Sequence, residues 1–130
     1  MTTEQVFAWI KTLATKPENY YCGVLNDKKD KSFGVYQLKE SRSRVVALGK
    51  TAKTGIKAIS ILVHWNSSTR ETENIAAALY ADLAAAFNPI IGNHKVNYIQ
   101  LLHDEPIDVG QDQTGICERV IEFVIHYERS

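Results

Sequence analysis

Side chains with catalytic or ligating capacity are few and scattered. Four histidines, His64, His94, His103 and His126, accompany two cysteines, Cys22 and Cys117, and a run of carboxylates beginning at Asp104 and Glu105. A bound transition metal needs nitrogen, sulfur or oxygen donors that converge on one point. No two histidines stand four apart on a helical segment, and no Cys-x-x-Cys occurs. His126 falls on the polar side of an alternating strand and His94 in a turn. The histidines therefore read as solvated or core-edge groups, and no metal or cofactor is expected.

The other chemistries are no better served. An EF-hand places oxygen ligands at alternating positions before an obligatory glycine. Asp104, Asp108 and Asp112 are spaced by four instead, and Pro106 stiffens the start. The segment reads as a surface loop or interface element. There is no Gly-x-Ser-x-Gly elbow, and neither cysteine has an evident basic or helix-terminal setting to activate it. Gly34, Gly49, Gly55 and Gly110 do not make a phosphate-binding spacing. Asp104, Glu105 or Glu118 could serve a paired-carboxylate hydrolase, but any acidic loop carries such residues. The expectation is a protein that is not an enzyme.

Charge is instead segregated along the chain. Lys28, Lys29 and Lys31 cluster in one turn, Arg42 and Arg44 follow, and Lys50 and Lys53 lie in a segment bracketed by Gly49 and Gly55. The acidic counterpart, Asp104 to Asp112, comes much later. Solvated turns explain both clusters. A sharper reading is contact between copies, the basic loop of one against the acidic loop of the next, which is able to close a ring.

The chain that must position these groups has 130 residues, 45% of them hydrophobic and 23% charged, with 15 basic residues balancing 15 acidic ones. That is enough for one domain, 1–130, with a core of its own. Zero formal charge argues against gripping nucleic acid by bulk electrostatics. No run approaches the ~20 apolar residues of a membrane span. The N-terminus lacks the pattern of a signal peptide, and the cysteines read as free, buried thiols, so a cytoplasmic site of synthesis is expected.

An amphipathic helix opens the chain, with Val6, Phe7, Ile10, Leu13 and Ala14 on one face and Pro17 as its end. Tyr20–Leu25 and Ser32–Leu38 read as a β-hairpin with a charged tip. Arg44–Leu48 suggests a further short strand. Ile56–Trp65 is apolar on both faces, as a central strand covered on both sides would be. A second helix, Glu71–Phe87, opens on a capping-box spacing of Ser68 with Glu71 and carries the stripe Ile75, Leu79, Leu83 and Phe87. Val96–Leu102 and Ile116–Glu128 finish the set, joined by a long acidic loop from His103 to Gly115. The order predicts an α+β fold: a largely antiparallel or mixed sheet, two helices on one face, a charged hairpin and long loops.

Two stretches carry a family resemblance. One is Ile61-Leu-Val-His-Trp-Asn-Ser-Ser-Thr-Arg-Glu-Thr-Glu-Asn74, which leads into the alanine-rich helix. The other is Leu101-Leu-His-Asp-Glu-Pro-Ile-Asp-Val-Gly110 with Gly115-Ile-Cys-Glu-Arg-Val-Ile-Glu-Phe-Val-Ile-His-Tyr-Glu-Arg129. Together they resemble the phage minor capsid proteins grouped with tail terminators, and the likeness extends over most of the chain. The resemblance implies a virion protein of the head–tail junction, made in the host cytoplasm, which caps the tail tube as a hexameric ring. Its implied partners are further copies of itself, the tail tube protein and the head connector or stopper protein. DNA passes only through the lumen, and no membrane is involved. Asp104 to Gly110 match the family motif and bring no chemistry with them. The alternatives are a head-completion or stopper protein and, further off, a small metal-dependent hydrolase using His103, Asp104 and Glu105.

Overall fold

The computed structural model describes residues 1–23, 29–38 and 54–128. Its elements run α1 (Thr3–Ile10), β1 (Asn19–Cys22), β2 (Ser32–Gln37), β3 (Thr54–His64), α2 (Thr69–Ala85), β4 (Ile90–Ile91), β5 (His94–Leu101), β6 (Ile107–Gln111) and β7 (Cys117–Glu128). The strands form one sheet in the order β1-β2-β3-β7-β5-β4, with β6 also paired to β7. The architecture is α+β, as the sequence predicts.

The long strands β3 and β7 are the axis of the sheet, antiparallel and in register from Thr54↔Glu128 to His64↔Glu118. Strict alternation gives each strand one greasy face. Ile59, Ile61 and Val63 of β3 and Ile121, Phe123 and Ile125 of β7 are buried, joined by Phe33 and Val35 of β2. Both helices lie on this face: Val6 and Ile10 come from α1, and Ala76, Leu79 and Leu83 from α2. Each fully buried side chain of this kind contributes about 1.5–3 kcal/mol relative to exposure.

Helix boundaries follow local hydrogen bonding. Thr2 caps α1 in a complete capping box with Gln5. Ser68 caps α2, its Oγ accepting from the Glu71 N–H at 3.2 Å. The Glu71 carboxylate does not close a box; it accepts from Asn66 Nδ2 at 2.8 Å. Helix α2 stops at Ala85, because Ala86 is already extended and Asn88, disfavoured from αR by Pro89, sits at φ +45°. Phe87 therefore leaves the apolar stripe and is 87% exposed, whereas Leu79 and Leu83 stay buried. Helix α1 likewise ends at Ile10, so Leu13 and Ala14 follow it in turns.

Four expectations need correction. Residues 20–38 do not form a hairpin: β1 and β2 pair in parallel, Asn19 opposite Ser32 and Cys22 opposite Val35. The intervening segment, 23–31, exceeds the 2–5 residues of common hairpin loops and is long enough to return along a four-residue strand. The Glu18 and Asn19 N–H groups then both donate to the Lys31 carbonyl, at 2.9 and 3.2 Å. Tyr20 lodges edge-on between Phe7 of α1 and Phe33 of β2, at 6.0 and 6.2 Å between centroids, which draws β1 under the helix.

Second, among the described residues the helices cover one face of β3, and its other face is fully buried only at His64. Its other face, with Ile56 38% exposed, shares a row of polar neighbours, Ser60 opposite Glu122 and Ile56 opposite His126. Third, the acidic connection contains a strand, β6, which lies end to end with β5 along the same edge of β7, the two being separated by residues 102–106. Fourth, His94 begins β5 rather than lying in a turn, its ring 5.0 Å from that of Tyr127. The suggested strand Arg44–Leu48 lies outside the described residues.

Candidate interaction surface and a histidine–carboxylate cluster

The acidic residues singled out from sequence decorate one side edge of the sheet. Leu102 returns to β7 through its N–H, which donates to the Glu122 carbonyl at 3.0 Å. Tyr80 of α2 donates from its hydroxyl to the His103 carbonyl at 2.6 Å, and the His103 ring bonds the Glu122 carboxylate at 3.1 Å. These contacts tether the start of the excursion 102–106 to β7 and α2, while Asp104 and Glu105 are exposed and Pro106 is half-buried. His103 is thus tied to Glu122 rather than assembled with Asp104 and Glu105.

Beyond the excursion, β6 is an edge strand that among the described residues pairs only with β7. A bulge between Asp108 and Gly110 bends it, with Gly110 at φ +91°. The Asp108 carboxylate accepts from the Gly110 N–H at 2.9 Å and lies 3.6 Å from the Arg119 guanidinium. Val109 between them is 48% exposed. Exposed apolar side chains also mark the turn after α2 and the start of β4, where Phe87 and Ile90 are 87% and 72% accessible.

The opposite edge belongs to β1, which among the described residues pairs only with β2. Lys29 and Lys31 lie beside it; Lys29 is exposed, and Lys31 is 3.7 Å from the Glu18 carboxylate. That local pair takes up part of the basic charge expected to reach another copy. Lys28, Arg42, Arg44, Lys50 and Lys53 lie outside the described residues. Gly55, the far bracket of the glycine-flanked segment, is in β3 and buried against Tyr127.

Asp112 differs from its acidic neighbours. It opens the β6–β7 turn, and its Oδ1 accepts from the Thr114 N–H at 2.8 Å, the Thr114 hydroxyl at 2.8 Å and the Ile116 N–H at 2.9 Å. Donation by Ile116 is the main reason its carboxyl is held below the usual range. The other oxygen, Oδ2, points to His64 Nε2 at 3.5 Å.

His64 ends β3, only 1% exposed, and its Nδ1 is 3.0 Å from Glu118 Oε2 on the facing strand. Burial pushes the Glu118 carboxyl up; the neighbouring His64 opposes that shift and Asp112 adds to it. The three groups offer donor atoms within 4.8 Å of one another.

Sequence reasoning missed this cluster because its members are 48 and 6 residues apart, brought together only by the β3–β7 register and the turn. The sole sequence signal was the unusual His64 within an apolar strand. The chain also hides a helix-terminal cysteine: Cys117 Sγ, buried, is 3.7 Å from Thr69 Oγ1 in the first turn of α2. Cys22, expected to be buried, is only half-buried.

No family model matches the chain, and no curated protein does. A solved structure of a protein without a descriptive name aligns with 98% of this chain and 89% of its own, at 17% identity and a TM-score of 0.40. A likeness at that level carries no argument about function.

Proposed function

We propose that this chain is a structural subunit of a long-tailed phage or prophage, a tail terminator that closes the finished tail tube as a ring and offers the head connector its docking surface. The reading starts from the resemblance carried by Ile61–Asn74, Leu101–Gly110 and Gly115–Arg129. The single structural observation that supports it is a sheet that, among the described residues, ends in β1 on one side and carries the acidic, bulged β6 on the other. Free edges are surfaces on which another chain adds a strand or a loop. Two different edges on one subunit favour heterologous contact, and a heterologous contact that closes gives a ring.

In this reading the chain works by shape. A ring matching the tube's symmetry covers the last tube subunits, and its far side lacks the surface that another tube subunit requires. Repetition around the ring multiplies weak contacts into avidity. Asp104, Glu105 and Asp108, with the exposed Val109 among them, form the acidic side of the subunit contact, and Lys29 and Lys31 are the described part of the basic side.

Mixing the purified chain with purified tail tubes tests this directly. Rings at one end of each tube, with arrest of further growth, are expected. Bare ends and continued growth at saturating protein would overturn the proposal, and binding to filled heads alone would favour the stopper reading.

A further inference from the structure

The His64 cluster sets one buried ring between two carboxylates. A neutral imidazole carries one N–H, which serves one carboxylate and presents a lone pair at the other nitrogen. His64 has a carboxylate at each nitrogen, Glu118 Oε2 3.0 Å from Nδ1 and Asp112 Oδ2 3.5 Å from Nε2. The first distance is that of a hydrogen bond. The second lacks hydrogen-bond geometry, so Nε2 is a buried ring nitrogen without a hydrogen-bond partner among the described residues. With Nδ1–H donated to Glu118, two lone pairs face each other across 3.5 Å. Something positive belongs between them, either a proton or a metal ion.

The spacing chooses between the two. A charge-assisted N–H···O contact closes to roughly 2.7–2.9 Å. Two ligands of one tetrahedral zinc, each about 2.0–2.1 Å from the ion, sit about 3.4 Å apart. The observed separation of 3.5 Å fits the second case. The orientation of both groups fits as well. An ionised Glu118, 3.0 Å from Nδ1, accepts from Nδ1–H and so favours the tautomer that leaves the Nε2 lone pair free, the arrangement common behind ligating histidines. Three hydrogen bonds to Asp112 Oδ1 lock that carboxylate with Oδ2 turned to the ring.

We propose that His64 Nε2 and Asp112 Oδ2 are two ligands of a divalent transition-metal site, best suited to Zn²⁺, with Glu118 as the positioning residue and water completing the coordination. The ion enters from the turn side, where Asp112 and Glu118 keep 20% and 18% of their side chains exposed. It ties the end of β3 to the β6–β7 turn. This assignment is independent of the tail-terminator reading.

The test uses the untagged full chain, titrated with Zn²⁺ by calorimetry after chelator treatment, with Co²⁺ as the spectroscopic probe. One ion per chain is expected, with the strong visible absorption of tetrahedral Co²⁺. H64Q and D112N should each weaken binding at least ten-fold while circular dichroism is unchanged. E118Q, which keeps both ligands, should weaken it by about ten-fold to a hundred-fold, as loss of an outer-shell partner does. No saturable binding by the folded wild type would overturn the site. So would D112N and H64Q that bind like wild type, or a ¹⁵N spectrum showing His64 protonated at both nitrogens in the presence of Zn²⁺. If either variant fails to fold, the Co²⁺ spectrum and the His64 ¹⁵N shifts of the wild type decide alone.

Discussion

Gly55 lies flat against the ring of Tyr127, its cross-strand partner at the far end of the β3–β7 pair. A Cβ added there would come within 2.6 Å of the ring's Cζ and 2.7 Å of its hydroxyl. Tyr127 is itself fixed, with the His94 ring 5.0 Å away on one side and the Met1 amino group 3.3 Å from its hydroxyl. The glycine is thus a packing requirement of the fold.

Gly55→Ala is expected to destabilise the protein by about 1–3 kcal/mol, the usual cost of overpacking a filled site. Urea denaturation read by circular dichroism measures it. An unchanged midpoint would mean that the Tyr127 ring moves aside freely.

Capping of α2 gives a smaller effect. Ser68 Oγ accepts from the Glu71 N–H at 3.2 Å, and the Ser68 carbonyl accepts from the buried Thr72 hydroxyl at 2.9 Å. Only the first is lost in Ser68→Ala, so a loss of about 1 kcal/mol is expected by chemical denaturation. Asn at this position should recover most of it.

The two ends of one apolar stripe should behave oppositely. Leu83 is 1% exposed and Phe87 is 87% exposed, although they are four residues apart. Leu83→Ala should cost about 2–5 kcal/mol of stability. Phe87→Ser should change it by no more than about 0.5 kcal/mol. Thermal melts of the two variants side by side check the contrast, and a large loss for Phe87→Ser would place that ring in a packed environment.

The acidic edge is expected to matter for assembly and not for folding. Asp104→Lys, Glu105→Lys and Val109→Lys alter exposed positions, so together they should leave the melting temperature nearly unchanged. The same triple variant should fail to form rings on tail tubes. Normal capping by it, scored by electron microscopy, would remove β6 from the contact.

Which parts of this were legible beforehand follows from how local their causes are. Ile121, Phe123, Ile125 and Tyr127 declare β7 by alternation alone, and Ser68 marks the start of α2 within a few residues. The parallel β1–β2 pair was not legible, because a hairpin and a return connection present the same two apolar runs around a polar turn. Residues 107–111 were hidden for another reason: on an edge with four of five positions exposed, Asp108, Gly110 and Gln111 look like loop. His64, Asp112 and Glu118 meet only through strand register, which residue spacing does not encode.

Electron micrographs of the tails made by a phage deleted for this chain are the most direct check on the capping role. Tubes of uneven, excessive length that never join heads are the outcome this account requires. Tails of uniform, normal length would contradict it.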